Sequence, residues 1–259
     1  MEPIVTYLLY AALLFVISLV GAYIPRYGSL KDSRAHMMIA LSAGIFLGLL
    51  FFMLLPEAIE ESEEGGWDVH ESMIVLVLGF IAILIIDKVL STHHHDTCEC
   101  HDHDDTHSHR LITESSFIGL AIHAACDGLA LGALFTTGAE IGFLATVGLC
   151  IHKFVELFSL SSTMVISDIS KKHAVIDLVV FALITPIAGL LFFLLFDGME
   201  VEGMLGLPLM FASGTLMYVS VCELLPESFH RDKGLRPLLI VLAGIAIMLA
   251  LALLFPHTH

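Results

Sequence analysis

The sequence predicts an all-α polytopic membrane protein. Eight transmembrane helices are expected, with an inverted repeat of spans 1–3 against spans 6–8 around a central hairpin of spans 4 and 5. Three observations predict it. The 259-residue chain is 57% hydrophobic and only 15% charged, where a soluble domain carries about a quarter charged residues; its mean hydropathy is +0.90. The positive charges sit at the ends of alternate apolar runs. A short motif recurs in the two halves of the chain.

The runs come in order along the chain. Residues 4–24 hold no charge in 21 positions, enough for about 30 Å of helix. No basic cluster precedes them (Met1, Glu2, Pro3), so this run reads as a retained helix rather than a cleaved signal. Similar runs follow at 37–56, 72–90, 117–135, 141–166, 174–196, 204–225 and 237–255. The third is the weakest, since its clean core ends at Ile86, before Asp87 and Lys88. A lysine near a helix end can snorkel, which keeps the span. Nothing between the runs is long enough for a second folded unit. Residues 1–259 are therefore one transmembrane domain, with a His-rich loop at 91–113 inside it.

Basic residues set the orientation. Arg26, Lys31 and Arg34 follow span 1, Lys88 and Arg110 flank the loop between spans 3 and 4, Lys171 and Lys172 follow span 5, and Arg231, Lys233 and Arg236 follow span 7. Ten of the eleven positive charges thus share one face, the exception being Lys153 inside span 5. The positive-inside rule places that face in the cytoplasm, the His-rich loop with it, and both termini outside. The opposite face is acidic, with Glu57, Glu60, Glu61, Glu63, Glu64, Asp68 and Glu71 in one loop and Asp197, Glu200 and Glu202 in another. Such a rim serves solubility, and it also concentrates cations.

The repeat is short and gap-free. Ser42-Ala-Gly44 leads after twelve residues to Pro56 in Leu-Leu-Pro-Glu, and Ala212-Ser-Gly214 leads after twelve to Pro226 in the same tetrapeptide, an offset of 170. Span 2 runs outward and span 7 inward, so the copies point in opposite directions, as in many secondary transporters. Met53 and Glu223 hold equivalent places, each directly before its Leu-Leu-Pro-Glu. Glu223 reads as an exit carboxylate, and Met53 as a ligand or as packing.

Spans 4 and 5 carry the chemistry. His123-x-x-x-Asp127 and His152-x-x-x-Glu156 each place two ligand types on one helix face. Counted from a turn at Thr137-Gly138-Ala139, His123 and His152 lie 15 and 14 residues away, about 21–23 Å into the membrane and level with each other. A lone intramembrane histidine is most often a helix–helix hydrogen bond. Four ionisable groups on one hairpin are different, because each costs at least ~2.5 kcal/mol at the bilayer centre. Two imidazoles and two carboxylates suit a borderline divalent ion, zinc first, with iron or manganese tolerated. Lys153 reads as a counter-ion to Glu156 or Asp127, or as a substitute for a second metal. Cys126 and Cys150 are either soft ligands or small packing residues. Gly128 and Gly132 would let another helix come close. Five cysteines, three of them inside spans (Cys126, Cys150, Cys222), give no disulfide framework.

His-Ala-Ala-Cys-Asp-Gly-Leu-Ala-Leu-Gly-Ala at 123–133, His-Lys-x-x-Glu at 152–156 and the two Leu-Leu-Pro-Glu segments together resemble the ZIP (Zrt/Irt-like) family of zinc and iron transporters. The similarity covers essentially the whole chain and is closest to the ZIP9-like branch and to prokaryotic members. It implies eight spans, extracytoplasmic termini, a homodimer, and elevator-like movement of spans 1, 4, 5 and 6 against the rest. The chain departs from the family pattern where Ala124 replaces an asparagine, Lys153 stands at a carboxylate position of some members, and Val155 replaces a proline. Those departures point to one metal held by His123, Asp127, His152 and Glu156.

Between spans 3 and 4, residues 93–109 contain seven His, two Cys, four Asp and one Glu. His93, His94, His95, Cys98, Cys100, His101, His103, His107 and His109 follow no zinc-finger spacing and read as a cytoplasmic metal buffer. The expected function is transmembrane transport of a divalent metal toward the cytoplasm, with zinc as cargo, no organic cofactor and no nucleic-acid partner. The alternatives are a membrane-embedded zinc hydrolase, for which the His-Glu-x-x-His motif is absent, and a metal-sensing receptor without flux.

Overall fold

The computed structural model describes residues 3–26, 32–95, 104–136, 143–166, 170–196, 203–230 and 234–254. Every regular element among them is helical. Helix α1 covers Pro3–Tyr23. Helix α2 (Asp32–Leu49) passes through a π segment, Leu50–Leu54, into α3 (Leu55–Glu64). Then come α4 (Val69–His95), α5 (Asp104–Thr136), α6 (Phe143–Ile166) and α7 (Lys171–Phe196). Helix α8 (Gly206–Tyr218) continues through a second π segment, Val219–Leu224, into α9 (Leu225–His230), and α10 (Leu235–Leu254) closes the bundle.

Six helices are long and apolar enough to cross a membrane: Ile4–Arg26, Met37–Glu64, Val69–Val89, Lys171–Phe196, Gly206–Phe229 and Leu235–Leu254. They coincide with expected spans 1, 2, 3, 6, 7 and 8. In α5 the apolar stretch is shorter, Phe117–Gly132, and α6 carries Lys153 and Glu156. The α2–α3 and α8–α9 rods form the centre, 61% and 67% buried, against 28% for α1 and 22% each for α4 and α10. The outer helices instead present Leu8, Leu9, Val16, Ile74, Leu78 and Leu239 outward, a surface suited to hydrocarbon rather than water.

Packing runs in pairs: α1 along α6, α7 along α5, α2 along α10 and α4 along α8. Gly44 lies against the Val241 carbonyl and Gly214 against the Leu76 carbonyl, so closely that a side chain at either would collide with backbone. Several buried hydroxyls find partners within the bundle, whereas Ser42 Oγ and Ser159 Oγ have none among the described residues. Ser162 donates to Phe158 O (2.7 Å), Ser213 to Leu209 O (2.8 Å) and Ser220 to Leu216 O (2.7 Å). Asp87, which weakened the third run in sequence, accepts from the Tyr218 phenol at 2.9 Å. The Lys88 side chain is 73% exposed, as a snorkelling lysine should be.

The π segments have a local cause. Pro56 and Pro226 follow them, and a proline ring clashes with the carbonyl four residues earlier in a regular α-helix. Widening relieves that: Leu55 N–H donates to Leu50 O and Leu225 N–H to Ser220 O, each five residues back. Hydropathy periodicity carries no sign of these segments, and both Met53 and Glu223 lie inside them.

Helix also enters the His-rich region from both sides, so the backbone at His93, His94, His95, His107 and His109 is helical rather than loop. Cys98, Cys100, His101 and His103 lie outside the described residues, as do Lys31, Arg231, Lys233, Asp197, Glu200, Glu202 and the turn at Thr137-Gly138-Ala139.

Candidate metal site

Helix α5 presents His123 and Asp127 one turn apart, and α6 presents His152, Lys153 and Glu156. All but His152 are buried. The two helices bring their histidines to the same level, as their similar distances in sequence from Gly138 lead one to expect: His123 Nε2 and His152 Nε2 are 3.1 Å apart. Asp127 Oδ2 is 3.1 Å from His152 Nε2 and 3.5 Å from His123 Nε2. A tetrahedral zinc ion with ligands at 2.0–2.1 Å separates its ligand atoms by about 3.3 Å. The three measured edges bracket that value, so one ion fits against all three atoms with small adjustments. Among the described residues these three form the one group of convergent His, Cys, Asp or Glu ligand atoms.

Glu156 joins through Lys153. The Lys153 ammonium lies 2.6 Å from Asp127 Oδ2 and 2.5 Å from Glu156 Oε2, so the lysine bridges both carboxylates where the sequence suggested either. Glu156 Oε1 and His123 Nδ1 are buried with no hydrogen-bond partner. Such orphans are costly in an apolar interior; Glu156, expected from sequence as a fourth ligand, stands outside the convergent group and is linked to it by Lys153.

Helix α7 seats α5 at this point. Thr185 Oγ1 donates to Ala124 O at 2.9 Å, between His123 and Asp127 in sequence. Gly128 and Gly132 both face Gly189 of α7, so α7 is the close-approaching helix that their spacing called for. Tyr7 of α1 donates to Pro186 O at 2.6 Å, tying a second helix to the same turn of α7.

The remaining sequence candidates sit apart from the triangle. Cys126 is buried one residue from Asp127 but outside the convergent group, and Glu223 is buried in the second π segment. Met53 is half-buried in the main apolar core. Glu57 was read from sequence as part of the acidic rim. It is half-buried in α3, close enough to Asp127 to feel its charge. Its place in the repeated Leu-Leu-Pro-Glu was the signal that could have found it.

A family model described as ZIP Zinc transporter matches residues 4–116 and 91–252. The chain is 26% identical over 309 residues to "Zinc transporter ZIP9" of Micropogonias undulatus, covering 96% of this chain and 98% of that protein. It is 24% identical over 254 residues to "Zinc transporter ZIP1" of Danio rerio, covering 82% and 83%. To "Zinc transporter YKE4" of Saccharomyces cerevisiae it is 29% identical over 140 residues, covering 49% and 40%. With the family model spanning nearly all of a helical bundle whose apolar helices fit a membrane, the chain belongs to the ZIP family, whose members are metal transporters and not enzymes.

Proposed function

We propose that this protein imports zinc, with iron or manganese as secondary cargo, through a single site made by His123, Asp127, His152 and Glu156 between α5 and α6. The observation that carries the reading is the triangle of ligand atoms with edges of 3.1, 3.1 and 3.5 Å, which matches the edge of a zinc tetrahedron. Glu156 supplies the fourth ligand from its free oxygen. Lys153 is the built-in counter-ion that makes a second metal unnecessary.

The wider architecture in this reading has eight spans, α5 and α6 completing the six apolar ones, with termini outside and the His-rich segment in the cytoplasm as a metal buffer. An inverted repeat is supported by the pairing of helices. Exchanging spans 1–3 for 6–8 and span 4 for 5 turns the α2–α10 contact into α8–α4, and the α1–α6 contact into α7–α5. The two π segments exchange likewise. A homodimer completes the assembly. Import follows from the outer acidic rim and a negative-inside potential, which favours entry of a dication by about 4.6 kcal/mol per 100 mV. Glu223 is the carboxylate on the way out, and Met53 and Cys126 are packing or transient soft ligands.

Zinc entry into proteoliposomes loaded with a zinc-sensitive dye tests this. Wild type should show flux, and His152→Ala and Glu156→Ala, folded to the same degree, should lose it. Stoichiometric zinc binding without flux in the wild type would leave a sensor in place of a transporter.

A further inference from the structure

The oxygen that closes the metal triangle is also the oxygen that holds Lys153. Asp127 Oδ2 lies 3.1 and 3.5 Å from the two imidazole nitrogens and 2.6 Å from the Lys153 ammonium. A dication coordinated to that oxygen and an ammonium hydrogen-bonded to it would be near neighbours of like sign in a buried, low-dielectric place, where repulsion is poorly screened. Only one of them can hold it strongly. Lys153 has a second partner available, Glu156 Oε2 at 2.5 Å, so it can yield Asp127 to a metal without being stranded.

From this we infer that Lys153 is a tethered competitor of the transported ion: it swings between Asp127 and Glu156, and its return to Asp127 Oδ2 helps expel the metal. This rests on the proposed His123–Asp127–His152 site. A monovalent ion competes poorly with an ammonium already seated at hydrogen-bond distance, whereas a dication that also recruits two imidazoles displaces it. The lysine therefore acts as a positioning residue that lowers affinity, raises turnover and favours divalent cargo. It does not touch the metal.

A merely structural lysine and a competing one differ in what their removal does to affinity. Losing a strut weakens binding and transport together. Losing a competitor tightens binding while slowing release.

The test uses the purified full-length chain, with zinc affinity measured by calorimetry and zinc uptake into liposomes measured in parallel. The variants are Lys153→Met, Lys153→Arg and His152→Ala; sites in the His-rich segment are common to all and cancel in the differences. Lys153→Met should bind zinc at least about ten-fold more tightly, lower the concentration for half-maximal uptake, and reduce maximal uptake several-fold. Lys153→Arg should stay close to wild type in affinity. If the methionine variant does not fold, Lys153→Gln, whose amide still donates to a carboxylate, carries the same expectation. Folded neutral variants that bind zinc no more tightly than wild type, or less tightly, overturn the inference. If His152→Ala keeps wild-type binding, the site itself is wrong. Binding lost in His152→Ala but unchanged in Lys153→Met leaves the site standing and removes only the competitor.

Discussion

Gly128→Ala tests whether α7 seats the site-bearing turn of α5. A Cβ at residue 128 would lie 2.6 Å from Thr185 O, 2.7 Å from the Ala188 Cβ and 3.0 Å from Gly189 N. The first of these is about 0.8 Å short of the 3.4 Å at which ordinary contact begins. Two of the three obstacles are backbone atoms, which do not rotate away. Overpacking of this kind costs ~1–3 kcal/mol, against a gain of ~1 kcal/mol for removing a glycine from a helix interior. The net loss is up to ~2 kcal/mol, read as a fall of several degrees in melting temperature in detergent. The functional loss should be larger in proportion. Relief of the clash moves α5 outward by a few tenths of an ångström or more, and His123 and Asp127 move with it while His152 stays on α6. Misplacing reacting groups by 1 Å costs on the order of 100-fold, so zinc affinity should drop at least about ten-fold. Gly66→Ala is the control. Its φ is +79° with nothing within 4 Å of the new carbon, so it should cost ~1 kcal/mol through backbone strain and leave zinc affinity alone. A Gly128→Ala protein that melts and binds like wild type would refute the claim that α7 positions the site.

Thr185→Val removes the 2.9 Å bond to Ala124 O at nearly constant volume and should cost ~1 kcal/mol, with a smaller loss of zinc affinity than Gly128→Ala; chemical denaturation alongside calorimetry measures both. Tyr218→Phe withdraws the phenol from Asp87, a hydrogen bond to a charged group worth ~1.5–3 kcal/mol. It should lower the melting temperature without changing zinc affinity, since Asp87 is outside the metal group. Replacing the seven histidines and two cysteines of 93–109 by serine, which keeps the ends of α4 and α5, should spare basal flux and change its maximal rate. Complete loss of flux in a stable serine variant would contradict a buffering role.

What could be read from the sequence depended on whether the signal was local. The six apolar spans were legible because a bilayer demands long uncharged stretches. The convergence of His123, Asp127 and His152 was legible because two i, i+4 pairs, 15 and 14 residues from Gly138 in sequence, come level when their helices pack side by side. Asp87 misled, since its partner Tyr218 is 131 residues away. Nothing local announced the role of α7, whose Thr185 and Gly189 act through the backbone of α5. The π segments escaped because a hydropathy pattern does not register one added residue per turn, although the proline of each Leu-Leu-Pro-Glu is their physical cause. Glu57 was assigned to the rim on sequence position, yet α3 continues the rod and keeps it half-buried near Asp127.

Charge balance explains why an ammonium belongs beside the proposed cation site inside a membrane. With neutral imidazoles, Asp127 and Glu156 contribute −2 and Lys153 +1, so the site carries −1 without metal and +1 with a dication. Removing the lysine would change those values to −2 and 0. The cost of holding charge in a low-dielectric interior rises as the square of the charge. The native site is therefore similarly costly in both conditions, while a lysine-free site would be far costlier empty than loaded and would hold its ion as a trap. A transport site has to release what it binds, and a +1 tethered beside two carboxylates levels the two conditions. The same reasoning gives a direction for the carboxylates. Glu156→Gln shifts the site to 0 and +2 and removes the charged partner to which Lys153 retreats, so it should bind zinc more weakly than wild type by more than the loss of one ligand alone. Combining it with Lys153→Met restores −1 and +1 and should recover part of that affinity. A double variant no better than Glu156→Gln would show that ligand count rather than charge governs binding here.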